Sequence, residues 1–147
     1  LTKIYTYMKH PWHDINPGEN IPEFVNGIIE IPKNIRAKYE LDKKSGLLRL
    51  DRVLYSSMYY PTNYGYVPNT LSDDGDPVDV LVITPFPLLS GSVIPVRPIG
   101  VLKMTDESGE DAKVLAVPVD KLSTIYRDVH KIEDVQPLLL KQIEHFF

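Results

Sequence analysis

The sequence contains no cysteine among its 147 residues, so disulfide bridges and thiolate metal sites are excluded. It also lacks an apolar run near the ~18 residues of a membrane helix, and its first residues lack a signal-peptide core. Basic residues are outnumbered, with 16 Lys and Arg against 20 Asp and Glu, whereas a nucleic-acid surface needs a basic excess. These absences predict a cytoplasmic protein that binds neither nucleic acid nor a membrane.

Several catalytic motifs are missing as well. The sequence has no G-x-S-x-G elbow, Walker A loop, G-x-G-x-x-G or H-E-x-x-H. The acidic stretch 73–79 does not fit an EF-hand, because the ligand spacing fails and Pro77 interrupts it. The composition, 43% hydrophobic and 24% charged, predicts one domain over residues 1–147, with an N-terminal extension over about 1–20. We expect further sequence beyond both ends, because the chain starts at Leu1 and its last helical pattern has no closing Gly or Asn.

Alternating apolar residues and turn signals predict mostly strands. The strand patterns cover 24–31, a hairpin over 37–55, a buried central strand at 78–83, and a second hairpin over 92–119 that turns at 105–111. The Tyr-rich segment 58–66 is predicted to be a partly extended loop. Helical patterns appear only late, at 121–130 with Asp120 as N-cap and again from Pro137. The fold class is therefore α+β, mainly β, around a small closed or partly closed barrel.

Acidic residues gather in two places. Asp74, Asp76 and Asp79 surround a Gly-Pro bend before the buried strand. Like charges ~4 Å apart repel by about 4 kcal/mol at an effective dielectric constant of 20. Asp106 and Asp111 are expected to face each other across a four-residue turn, which is unfavourable unless a cation lies between them. Oxygen ligands without His or Cys favour Mg²⁺ or Mn²⁺, and their number favours several ions. The alternative is that each is a solvated turn residue.

Basic and phenolic side chains supply counterparts suited to phosphoryl oxygens. They are Lys38, Arg52, Lys113, Tyr60 and Tyr64. Taken singly, Lys38 could form a surface ion pair with Glu40, and Tyr64 could simply pack. The pair His10 and His13 has a superficial metal-ligand spacing, but the intervening Pro and Trp favour a surface loop.

Several short segments together match one known family. They are 30–32 (EIP), 38–40 (KYE), 51–52 (DR), 60–66 (YPTNYGY), 74–82 (DGDPVDVLV), 100–106 (GVLKMTD) and 110–113 (EDAK). On these segments the chain, from about residue 20 to its end, resembles family I of the soluble inorganic pyrophosphatases. The D-G-D-P-x-D motif is highly specific. The resemblance implies a five-stranded OB-like barrel with flanking helices that hydrolyses pyrophosphate to two orthophosphates with several Mg²⁺ ions, Mn²⁺ being a substitute. It also implies a homo-oligomer, with a hexamer favoured over a dimer.

The resemblance also implies a role for each site residue. The metal ligands would be Asp74, Asp79 and Asp111, with Asp106 and Glu30 serving further ions. Asp76 would orient and deprotonate the attacking water. The residues that hold pyrophosphate and the leaving phosphate would be Lys38, Arg52, Tyr64 and Lys113. The family pattern continues past Phe147 with a Tyr-Lys pair that contacts substrate, followed by another helix.

Two other functions fit parts of the sequence. A non-catalytic OB-like barrel that binds phosphate or nucleotide would follow if the chain truly ended at Phe147. An OB-type binder of single strands would need a stripe of Lys and Arg interleaved with aromatic residues, and the sequence has none. Hydrolysis of pyrophosphate is therefore the leading hypothesis.

Overall fold

Seven strands and one α-helix make up the protein in a computed structural model that describes residues 9–147. The strands are β1 (Val25–Ile31), β2 (Ala37–Leu41), β3 (Leu48–Val53), β4 (Asn63–Tyr66), β5 (Asp79–Val82), β6 (Val93–Asp106) and β7 (Gly109–Pro118). A 3₁₀ turn at Ile132–Asp134 precedes helix α1 (Pro137–Phe146). Proline begins α1, as the sequence predicts, because its fixed φ suits the first turn. Within residues 9–147 no helix is long and apolar enough to cross a membrane.

Five strands close into a barrel in the order β1-β4-β5-β7-β6, and β6 pairs with β1 to complete it. All neighbours are antiparallel except β5 and β7, which run parallel because β6 carries the chain back between them. Strands β2 and β3 form a separate two-stranded hairpin. The predicted mainly-β fold, the five-stranded barrel and the hairpin are therefore confirmed.

Strand β5 lies at the centre of the core. Val80, Leu81 and Val82 are fully buried. Alternation sends Val80 and Val82 into the barrel cluster, while Leu81 joins the cluster that packs against α1. Asp79 has the parity of Leu81, so the single carboxylate of β5 lies on the same face of the strand as Leu81.

The prediction of a helix at 121–130 is wrong, because this segment contains no helix. The segment forms successive turns, such as Arg127 N–H to Thr124 O at 3.1 Å. The Arg97 guanidinium donates to the carbonyls of Tyr126 (3.0 Å) and Val129 (2.6 Å), two acceptors that would otherwise be available to a helix. Ile125 is 63% exposed, so the segment also lacks a fully buried apolar face.

Two further predictions need correction. Residues 63–66 of the predicted loop form β4, a full member of the barrel. Asp106 and Asp111 do not face each other, because Asp106 pairs with Gly109 and Asp111 pairs with Met104. Gly109 has a φ of +113°, which permits a tighter turn than the one predicted.

Residues 9–24 form neither helix nor strand, but they are anchored at one point. Trp12 is only 9% exposed and packs with Ile28, Leu41 and Tyr66. The predicted surface loop at His10–His13 is thus confirmed for His13, which is exposed, and wrong for Trp12. Large aromatic side chains gain stability from such burial, and this one fixes the N-terminal segment to the barrel.

Candidate active site

A cavity of about 290 Å³ opens where β5, β7, β1 and the β2–β3 hairpin meet. It is lined by Glu30, Lys38, Tyr39, Glu40, Leu41, Lys43, Tyr64, Tyr66, Asp74, Asp76, Pro77, Asp79, Asp106, Asp111 and Lys113. Seven of these residues are acidic and three are lysines. The lining therefore combines a large set of hard oxygen ligands with cationic donors.

The parallel pairing of β5 and β7 sets Asp79 beside Lys113. Lys113 is buried, and its ammonium lies 2.9 Å from Asp79 Oδ2 and 3.2 Å from Asp111 Oδ2. It also donates to the Tyr64 hydroxyl at 3.2 Å. Burial disfavours the ammonium, but the two carboxylates outweigh that effect and raise the pKa of Lys113. Burial also raises the pKa of Tyr64, so its hydroxyl stays protonated and can donate.

Glu30 reaches the same cavity from near the C-terminal end of β1. It is only 7% exposed, and burial raises its pKa to about 7, with Asp79 and Glu40 adding to the effect. Leu41 N–H opposes this shift by donating to Glu30 Oε2 at 2.8 Å. This carboxyl is therefore available in both protonation states near neutral pH.

The acidic loop before β5 is ordered by its own hydrogen bonds. Ser72 N–H donates to Asp76 O at 2.7 Å, Gly75 N–H to Ser72 O at 3.0 Å, and Asp76 N–H to Asp74 Oδ1 at 2.9 Å. The Asp76 carboxylate forms an ion pair with Lys43, from the turn between β2 and β3. Gly75 has a φ of +86°, so this bend depends on the glycine of the motif.

Two basic side chains of the β2–β3 hairpin form ion pairs with Asp51 rather than with Glu40. Lys38 Nζ lies 3.5 Å from Asp51 Oδ2, and Arg52 Nε donates to the same oxygen at 2.9 Å. The ion pair between Lys38 and Glu40 that the sequence suggested therefore does not form, and Lys38 pairs with Asp51 instead. Arg52 is exposed and is not part of the cavity lining, although it pairs across the hairpin with Lys38.

The donor set fits a hard divalent cation. Asp79 and Asp111 already converge on one positive centre, the Lys113 ammonium. Across residues 9–147, no three acidic or histidine side chains stand close enough together to hold a metal ion as they are placed. Carboxylates without His or Cys suit Mg²⁺ or Mn²⁺ rather than Zn²⁺.

Comparison with known proteins identifies the family. The family model for inorganic pyrophosphatase matches residues 27–147. The chain belongs to the inorganic pyrophosphatase family. An inorganic pyrophosphatase of Pseudomonas aeruginosa is 55% identical over 134 residues, which cover 90% of this chain and 77% of that protein. One of Vibrio parahaemolyticus is 59% identical over 131 residues, covering 88% of this chain and 74% of that protein.

Solved structures of the family share the fold. The inorganic pyrophosphatase of Thermus thermophilus matches with a TM-score of 0.89 and 40% identity, covering 95% of this chain and 78% of that one. An inorganic pyrophosphatase of Coxiella burnetii matches with a TM-score of 0.85 and 51% identity, covering 90% of this chain and 79% of that one. The recognition of the family and of its OB-like barrel from sequence motifs is therefore confirmed.

Nine of the ten residues assigned from the pyrophosphatase resemblance line the one cavity, and Arg52 is the exception. The nine are Glu30, Lys38, Tyr64, Asp74, Asp76, Asp79, Asp106, Asp111 and Lys113. Tyr60 lies outside, packed against Phe146 at 4.6 Å between ring centroids. Glu40 and Lys43 also line the cavity, although no site role was predicted for either. The shared strand face of Lys38 and Glu40 could have indicated Glu40, whereas Lys43 carries no local signal.

Proposed function

We propose that this chain hydrolyses inorganic pyrophosphate to two orthophosphates. Membership in the inorganic pyrophosphatase family supports the reaction. The observation that carries it is the shared cavity, in which seven carboxylates and three ammonium groups line one space. An acidic wall for cations beside donors for phosphoryl oxygens is the chemistry that transfer of a phosphoryl group to water requires.

The family is one of metal-dependent hydrolases, and we propose Mg²⁺ as the metal, with Mn²⁺ as a substitute. Asp74, Asp79 and Asp111 would hold the tightest ions, and Asp106 and Glu30 would serve further ones. Such ions, when bound, neutralise phosphate charge and lower the pKa of water. The burial of Glu30 and the convergence of Asp79 and Asp111 on one cation support this assignment.

Asp76 is proposed as the general base. Its half-exposed carboxylate lies on the loop at the cavity, where it can orient a water molecule and accept its proton as the water oxygen attacks phosphorus. The bond from phosphorus to the bridging oxygen then breaks, and the leaving phosphate takes the electron pair. No Ser, Cys or His lines the cavity, so its described lining offers no nucleophile for a covalent serine, cysteine or histidine intermediate.

The leaving phosphate needs positive charge and hydrogen-bond donors. We propose that Lys38, Arg52, Lys113 and Tyr64 supply them. Lys113 and Tyr64 are already within hydrogen-bond distance of each other, and the raised pKa of each keeps the donating proton in place at neutral pH. Lys38 and Arg52 extend this basic side along the β2–β3 hairpin.

The test is phosphate release from pyrophosphate with Mg²⁺, with and without chelator. Asp76→Asn removes the proposed base while keeping the side chain's size, and its activity should fall by about 10²-fold or more. Asp73→Asn is the matched control, because Asp73 is exposed on the same loop and does not line this cavity. Equal, negligible release from wild type with and without chelator would refute the proposal.

The non-catalytic phosphate-binding barrel is not favoured, because the matched relatives are named as enzymes and the acidic and basic residues share one cavity. The organisation as one domain, the cytoplasmic location and the assembly into a hexamer or dimer stay predictions.

A further inference from the structure

The proposed base is held by its backbone but only at one point by its side chain. The main-chain N–H and C=O of Asp76 are both hydrogen-bonded within the loop, to Asp74 Oδ1 and Ser72 N–H. The adjoining Gly75 has no neighbour within 4 Å of where a Cβ would lie, so the bend is open on that side. Among the described residues, the only side chain that pairs with the Asp76 carboxylate is Lys43, at Oδ1.

Lys43 is itself fixed by the N-terminal segment. His10 Nε2 donates to the Lys43 carbonyl at 2.7 Å, and the Lys43 ammonium lies 5.9 Å from the centroid of the Trp12 ring. His10 Nδ1 accepts from Trp12 N–H at 3.1 Å, which is compatible with a proton on Nε2. These contacts hold both the backbone and the side chain of Lys43, and a cation over an aromatic face gains a further attraction.

The same Trp12 also contacts the chain that leads into the acidic loop. Its Nε1–H donates to Thr70 O at 2.8 Å, and Asn69 N–H donates to Trp12 O at 2.6 Å. Thr70 Oγ1 in turn accepts from Val78 N–H at 3.0 Å, just beyond the loop. One buried residue therefore aligns the turn that carries Lys43 with the loop that carries Asp76.

We propose that Lys43 is a positioning residue for Asp76. By occupying Oδ1, its ammonium restrains rotation of the carboxylate and leaves Oδ2 for the attacking water. Side chains that act as bases must be held within a narrow range of positions, so the loss of such a restraint lowers turnover. This inference rests on the proposed function, in which Asp76 is the base. The competing role for Lys43, which lines the same cavity, is a direct contact with pyrophosphate.

The experiment compares Lys43→Ala with wild type in steady-state hydrolysis of pyrophosphate at saturating Mg²⁺. We expect kcat to fall about fivefold, the scale of a restraint supplied by one half-exposed ion pair, with KM within about twofold of wild type. Lys43→Arg should restore most of kcat. Lys44→Ala is the matched control, because it removes the same charge from the same turn and Lys44 forms no ion pair within residues 9–147.

A double mutant separates positioning from a general effect on the fold. If Lys43 acts through Asp76, then Lys43→Ala should not reduce the residual activity of Asp76→Asn any further. Additive losses would contradict the proposal, as would a raised KM with kcat unchanged, which assigns Lys43 to substrate. Equal activity of Lys43→Ala and Lys44→Ala would also overturn it. Inactivity of the wild-type protein itself would instead refute the proposed function.

Discussion

Replacing Lys113 by methionine should destabilise the protein most when divalent cations are absent. The ammonium of Lys113 lies 2.9 Å from Asp79 and 3.2 Å from Asp111, and its side chain is only 7% exposed. Its removal leaves two carboxylates facing each other, only 24% and 21% exposed. Breaking a buried ion pair costs about 3–5 kcal/mol, and the partial exposure of both acids reduces this to about 2–4 kcal/mol here.

Mg²⁺ should reverse much of that loss, because Asp79 and Asp111 can share a metal once Lys113 no longer lies between them. A cation that binds only the folded state stabilises it by about 2.7 kcal/mol when its free concentration is 100 times its dissociation constant. The assay is urea unfolding of wild type and Lys113→Met, each with chelator and with Mg²⁺. Lys103→Met is the control, because Lys103 is exposed on β6. Equal stability of both proteins in chelator, or equal stabilisation of both by Mg²⁺, would refute the reasoning.

Two other predictions concern stability in chelator. Because burial raises the pKa of Glu30 to about 7 from an ordinary 4.5, the folded state binds the proton more tightly than the unfolded chain. As pH rises from about 4.5 through 7, the free energy of unfolding of wild type should therefore fall by about 3 kcal/mol relative to that of Glu30→Gln. Urea unfolding of both proteins across this pH range measures the difference, and parallel pH curves would contradict the prediction. Gly46 has a φ of +75°, and an added Cβ would lie 2.8 Å from Pro11 Cδ. Gly46→Ala should lower the thermal midpoint more than Gly91→Ala, whose φ of +85° is similar but whose surroundings are open; equal shifts would show that the contact with Pro11 has no effect.

The barrel could be predicted from the sequence because its signals are local. The alternation over 37–55 gave the β2–β3 hairpin, and the apolar run at 78–83 gave the central strand. The motif residues then indicated nearly all of the cavity lining, because their positions on neighbouring strands follow from the shared family fold.

The remaining features depend on contacts between distant residues. Segment 121–130 has a composition typical of a helix but forms turns instead. These turns depend partly on hydrogen bonds from Arg97, which is about thirty residues away in the sequence. The register of the β6–β7 hairpin depends on the left-handed conformation of Gly109. The contact of His10 with Lys43 spans 33 residues, and no pattern in either segment predicts it.

The parallel pairing of β5 with β7 has a consequence for how the protein folds. Asp79 and Lys113 become neighbours only after β6 has crossed the barrel and β7 has returned along it. Closure also needs β1 to pair with β6, where Val25 meets Val96. Contacts of such high sequence separation form slowly, since loop-closure entropy is lost before they contribute stability. We therefore expect the cavity to form late in folding, because a chain that has only its hairpins in place has not yet brought Asp79 beside Lys113.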